Sequence, residues 1–179
     1  MIKNLSKLLR PIAITSQKGF TLIELLVVIG ILGVLAAALV ATIDPFEQLK
    51  KANDANVKNT AVEFINANIR YYTTHSHMPW APNGCNQGAN PTSSALYPNL
   101  TDCLSSLVVD GEIKAAFTTV TGVLSAITIN GTDTDITACF QPLSKAQRND
   151  GNTKFDKNGR PIDTTLCGPA STACYWCSQ

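Results

Sequence analysis

Lys18-Gly19-Phe20-Thr21-Leu22-Ile23-Glu24 opens an apolar stretch that runs on to Ile43, and residues 25–43 carry no charge. A helix over residues 20–43 would be about 36 Å long at about 1.5 Å per residue. The hydrocarbon core of a bilayer is about 30 Å thick, so this segment is long enough to span one. Glu24 is the misfit. A carboxylate costs about 2.5–3.5 kcal/mol near the middle of such a helix and less near an end. It therefore needs either a nearby interface or a partner.

The flanks set a direction. Residues 1–19 contain Lys3, Lys7, Arg10 and Lys18 and no acid. Basic residues ahead of an apolar helix hold that end on the cytoplasmic side, which puts the rest of the chain across the membrane. A cleaved secretory signal is one reading, because Ala36-Ala37-Ala38 and Leu39-Val40-Ala41 are small enough for a peptidase acting near Ala41. The apolar run is too long for an ordinary signal core, and Glu24 fits one badly. An uncleaved anchor accounts for the length and the charges but leaves Gly19 and Glu24 without a role.

The run Gly19-Phe20-Thr21-Leu22-Ile23-Glu24-Leu25-Leu26-Val27-Val28-Ile29-Gly30-Ile31-Leu32-Gly33-Val34-Leu35-Ala36 resembles the class III signal of type IV pilins and type II secretion pseudopilins. The resemblance implies that a prepilin peptidase cuts after Gly19 and methylates the new N-terminus at Phe20. The apolar helix is then kept, first as a membrane anchor and later as filament core. Glu24 becomes the fifth residue of the processed chain and pairs with the terminal ammonium of a neighbouring subunit. Implied partners are identical or related pilin subunits, an ATPase and membrane assembly platform, and membrane lipids before assembly. The implied location is the inner or cytoplasmic membrane, single-pass with the head outside the cytoplasm, then a cell-surface filament.

The resemblance gives Glu24 a cation that the unprocessed chain lacks. Phe20 and Glu24 are one helical turn apart, so a pair within one chain is also available before assembly. In a dehydrated filament core either charge without the other would be costly. The plainer alternative is a Glu that reaches the headgroup region. Gly30 and Gly33, with Ala36, Ala37, Ala38 and Ala41, add small surfaces over which helices can approach closely.

Asp44-Pro45-Phe46-Glu47 reads either as a helix restart, with Asp44 as cap and Pro45 in the first position, or as a continuous helix that bends at Pro45. Phe46, Leu49, Asn53, Val57, Ala61, Phe64, Asn68 and Tyr72 then recur at spacings of three and four, which predicts an amphipathic helix over residues 46–72. Lys50, Lys51, Asp54, Lys58 and Glu63 are expected mostly on its solvated side. The basic residues are too few and too mixed with acids to mark a nucleic-acid site. His75 and His77 are expected in a loop, with no further ligands at metal-binding spacing.

Residues 73–102 read as a long surface connection and residues 103–117 as a second, weaker helix. Leu124-Ser125-Ala126-Ile127-Thr128-Ile129 and Ile136-Thr137-Ala138-Cys139-Phe140 alternate as strands, joined by a turn at Asn130-Gly131-Thr132-Asp133. Cys174-Tyr175-Trp176-Cys177 supplies a third strand. The fold class is α+β and pilin-like. A long N-terminal helix, half transmembrane and half amphipathic, packs against a small antiparallel sheet with a disulfide-stabilised C-terminal region. The organisation is residues 1–19 as leader, 20–44 as apolar helix and 45–179 as amphipathic helix and head.

Cys85, Cys103, Cys139, Cys167, Cys174 and Cys177 all follow the apolar segment. An even count in a small exported head reads as up to three disulfides. The local pairing is Cys85 with Cys103, and Cys139 with one of the last three would tie the C-terminus to the sheet. Cys174 and Cys177 also have the spacing of a zinc or redox pair, though they lie outside the strand-to-helix setting of a redox motif. Asp150-Gly151-Asn152-Thr153-Lys154-Phe155-Asp156-Lys157-Asn158-Gly159 resembles half a calcium loop, but Pro161 stands where the twelfth-position acid belongs. A surface loop with no cofactor is the expectation there, with an irregular calcium site, which some pseudopilins carry in a head loop, as the alternative. No Ser-His-Asp set or carboxylate pair suggests catalysis, so neither a catalytic nor a metal site is expected.

The fourteen basic residues of the chain outnumber its thirteen acids by one. Removing residues 1–19 would take four basic residues and no acid, leaving ten against thirteen and a net side-chain charge of −3. The expected role is a structural pilin of a type IV pilus-like filament. A secretion pseudopilin is the alternative, and a monomeric anchored binding module the more distant one.

Overall fold

The computed structural model describes residues 19–42, 44–81, 84–168, 171 and 173–178. Residues 1–18 of the expected leader, and Ile43 at the end of the expected apolar helix, lie outside the described residues. The chain divides into two compact units at the Asp44/Pro45 junction.

The first unit contains helix α1, Leu22–Thr42. Its described side chains are all exposed, although most are large and apolar. Among the described residues of its own unit, none covers them. Among the described residues, α1 alone is long and apolar enough to cross a membrane. These properties are consistent with membrane anchoring.

The second unit begins with α2, Pro45–His75, in which Pro45 takes the first helical position and no glycine interrupts the 31 residues. Proline suits this position because its missing N–H would have had no helical partner. Its buried face is Asp54, Val57, Ala61, Phe64, Ile65, Ala67, Asn68 and Tyr71. The spacing of three and four turns that face onto the sheet. The helix runs one turn further than the predicted residue 72 and takes His75 into its last turn.

Asp54 overturns its assignment to the solvated face: it is 2% exposed. Its carboxylate accepts from the backbone N–H of Leu143 at 2.9 Å and of Ser144 at 2.7 Å. A buried carboxylate is tolerable when such donors replace water. Nearby, Glu47 accepts from the Lys145 N–H. Together they tie α2 to a short helix that begins at Lys145.

The sheet has five antiparallel strands rather than three. They are β1 (Ser94–Ala95), β2 (Ile127–Gly131), β3 (Ile136–Phe140), β4 (Thr153–Phe155) and β5 (Tyr175–Ser178), in spatial order β1-β2-β3-β5-β4. Ile127, Ile129, Ala138 and Phe140 are buried beneath α2, together with Trp80, Leu96 and Leu100. Trp80 anchors the β2 end of this core: its indole N–H donates to the Thr132 carbonyl at 2.9 Å.

Several boundaries differ from the sequence reading. Leu124 is buried but belongs to a short helix, α4 (Thr121–Leu124), and the strand starts only at Ile127. Asn130 and Gly131 remain paired with Thr137 and Ile136, which moves the hairpin turn to residues 132–135. Thr132 Oγ1 accepts from the N–H groups of Thr134 and Asp135 and holds that turn. The predicted helix over 103–117 is α3, Thr101–Val109, followed by a separate 3₁₀ turn, Ala115–Thr119. Gly111, at φ 76°, stops α3. Its N–H donates to Val108 and that of Glu112 to Leu107, the paired bonds of a Schellman terminus. The remaining helix, α5, is Lys145–Arg148.

Three disulfides cross-link this unit: Cys85–Cys103, Cys139–Cys177 and Cys167–Cys174. Cys139 and Cys177 face each other on β3 and β5, so the second bond fastens the last strand to the centre of the sheet. Cys174 and Cys177 are bonded to different partners and do not form a redox or zinc pair with each other. β4 lies within the segment expected to be a loop. Around it, Asp150 accepts from the Asn152 N–H, and Asp156 from those of Asn158 and Arg160. These carboxylates close their own turns.

Candidate processing and assembly site

Gly19 and Phe20 precede α1 and are exposed, so the bond between them is not part of a helical ladder. Thr21 is the residue at which the helix starts: its carbonyl accepts from the Leu25 N–H at 3.3 Å. Its N–H donates to Glu24 Oε2 at 2.8 Å, and its hydroxyl donates to the same oxygen at 2.7 Å. The Glu24 N–H in turn donates to Thr21 Oγ1 at 3.3 Å. This reciprocal arrangement is a capping box, Thr-x-x-Glu, and satisfies two donors that a helix start leaves open.

Glu24 thus has a partner within its own chain that the sequence reading did not assign. The Thr21/Glu24 spacing is the sequence signal for it, and the partner is a neutral hydroxyl rather than a positive charge. The box also places the carboxylate at the positive end of the helix dipole. Its oxygen lies against the peptide nitrogen of residue 21, the one immediately after the nitrogen that a cut between Gly19 and Phe20 would free. An ammonium created there would appear beside a carboxylate already held in place.

Phe20, Ile23, Glu24, Val27 and Val28 line one shallow groove on α1, apolar apart from Glu24. Two turns further on, Gly30 and Gly33 have no heavy atom near the position a side chain would occupy. The helix therefore offers a grooved apolar face followed by a stretch on which another helix backbone can lie close.

Residues 14–40 match the family model described as the prokaryotic N-terminal methylation motif. The chain therefore carries the class III signal of type IV pilins and pseudopilins, joined to a hydrophobic helix. Neither a curated protein nor a solved structure matches the chain significantly. The motif ends within α1, so it defines the processing segment and leaves the head to be read from its own residues.

Proposed function

We propose that this chain is a structural subunit, a pilin, of a type IV pilus-like filament. Processing after Gly19 frees the amine of Phe20, and the chain then assembles through α1. The observation that supports this most is the methylation motif continuing into a helix whose described apolar side chains are all exposed. Burying such a surface favours either lipid or other helices, and a filament supplies the second when the subunit leaves the first. Glu24 then pairs with the Phe20 ammonium of a neighbour. The head performs no chemistry and is the part displayed outside the cytoplasm.

Mass spectrometry of the native protein tests the processing step. The expected N-terminus is methylated Phe20; an intact Met1 start or a cut near Ala41 would overturn the reading. Electron microscopy with antibody against the head tests the second step. Labelled surface filaments support a pilus, whereas labelling confined to the envelope would replace it with a secretion pseudopilin.

A further inference from the structure

We propose that His75 and His77 form a two-histidine site for a late first-row divalent metal ion such as Cu²⁺, Ni²⁺ or Zn²⁺. They are the two histidines of the whole chain, and they stand two residues apart. Ser76 between them adopts φ 60°, a left-handed conformation uncommon for a residue other than glycine. This residue ends α2, with its N–H donating to the Tyr72 carbonyl at 2.8 Å, and reverses the chain. The reversal brings His77 back beside His75, with ring centroids 6.0 Å apart. Two imidazoles sharing one ion through bonds of about 2.0–2.1 Å place their centroids about 4.5–5.2 Å apart at right-angled or tetrahedral geometry, so the exposed His75 ring closes by about 1 Å when an ion binds.

The ring nitrogens are prepared for this. His75 Nδ1 lies 3.1 Å from the Tyr71 carbonyl, and His77 Nδ1 lies 2.9 Å from the Met78 carbonyl. A carbonyl only accepts, so the neutral tautomer that these contacts favour has the proton on Nδ1 and leaves Nε2 as the metal-facing lone pair. Thr74 Oγ1, which donates to the Tyr71 carbonyl at 2.9 Å, accepts a share of the His75 proton at 2.8 Å. A backbone acceptor on one nitrogen that fixes the other as ligand is the usual support of metal-bound histidine. Tyr71 holds both rings, stacked on His75 at 3.9 Å and edge-on to His77 at 6.0 Å. His75 is exposed and His77 half-buried, so an ion can enter from solvent.

Competing donors are few. All six cysteines are in disulfides. Among the described residues no third His, Cys, Asp or Glu completes a larger group, and water fills the remaining positions. The sequence offers the pair but no further ligands beside it, and the approach of the two rings depends on the left-handed turn at Ser76. The inference does not rest on the filament reading.

The test adds Cu²⁺ alone to the purified full chain in detergent, since copper binds such donors most tightly in this series. Electron paramagnetic resonance should show one site coupled to two imidazole nitrogens. His75→Gln and His77→Gln should each weaken binding by about tenfold or more, because each removes one arm of a chelate, and leave a one-nitrogen spectrum. The double substitution should abolish imidazole coupling. A wild-type spectrum with fewer than two imidazole nitrogens, or unchanged affinity in either single variant, would overturn the site.

Discussion

The Thr21 hydroxyl and the Glu24 carboxylate meet at 2.7 Å, and the Thr21 N–H reaches the same carboxylate oxygen at 2.8 Å. A charge that fits poorly in an apolar helix is therefore part of the turn that starts the helix. Two neutral donors replace part of the water that the carboxylate would lose in an apolar setting. They do not neutralise it. The carboxylate keeps a second oxygen and a full charge for a cation arriving at Phe20.

Replacing that charge separates insertion from assembly. Glu24→Ala should enter the membrane at least as well as the native chain, because it removes the one costly residue of the segment. In an assembled filament it would strand the Phe20 ammonium, and an uncompensated buried charge costs about 3–5 kcal/mol. Incorporation should fall by about a hundredfold or more. Membrane fractionation and immunoblotting of sheared filaments check the two halves, and native levels in the sheared fraction would count against the pairing.

Thr21→Ala removes only the cap. A lost threonine cap costs a helix about 0.5–2 kcal/mol. Hydrogen exchange should quicken at the amides of Glu24 and Leu25, which bond to Thr21, while Gly30 two turns away stays unchanged. Equal exchange at Glu24 in the two proteins would show that the box is not maintained in detergent or lipid.

The elements that were legible in the sequence are those whose cause is local. α1 follows from an apolar run broken only by Glu24 and α2 from recurrent three- and four-residue spacing. The hairpin of β2 and β3 follows from alternation around a polar turn. β1, with two residues, and β4, with three, carry no period of their own and exist because a neighbour pairs with them. Asp54 was misplaced for the same reason: its amide partners lie 89 and 90 residues away. At the candidate processing site, Gly19, Phe20 and Glu24 stand out by the resemblance of their motif. The Thr21 bond was written in the spacing but is a neutral interaction, invisible to a search for charge partners.

Asp54 gives the head its clearest point of failure. In Asp54→Ala the N–H groups of Leu143 and Ser144 lose their acceptor in a buried setting, and unfilled volume is added. The expected loss is about 2–4 kcal/mol, from two unsatisfied donors at about 1–3 kcal/mol each with partial relaxation. Asp54→Asn should do little better, because its amide group turns a donor towards donors. Glu63→Gln, which weakens an exposed pair with Arg70 at 3.6 Å, should change stability by less than about 1 kcal/mol. Urea unfolding of the oxidised protein compares the three; similar midpoints for Asp54→Ala and Glu63→Gln would refute the assigned difference.

The disulfides should contribute unequally, because cross-linking removes more freedom from an unfolded chain when it closes a longer loop. Cys139–Cys177 closes a separation of 38 residues and Cys167–Cys174 one of 7. Chain-entropy arithmetic gives about 4 kcal/mol for the first and about 2 kcal/mol for the second. Position reinforces the order. The longer bond joins paired residues of β3 and β5, and β5 carries Trp176 into the core, where its ring packs 5.3 Å from that of Phe140. Cys139→Ser with Cys177→Ser should therefore lower the unfolding midpoint well beyond Cys167→Ser with Cys174→Ser. It should also expose the amides of β5 to exchange before those of β2. Denaturant titration with hydrogen exchange on both double variants measures this directly. Equal losses would mean that the sheet holds its last strand without the bond, and that the cysteines at its centre add only their loop entropy.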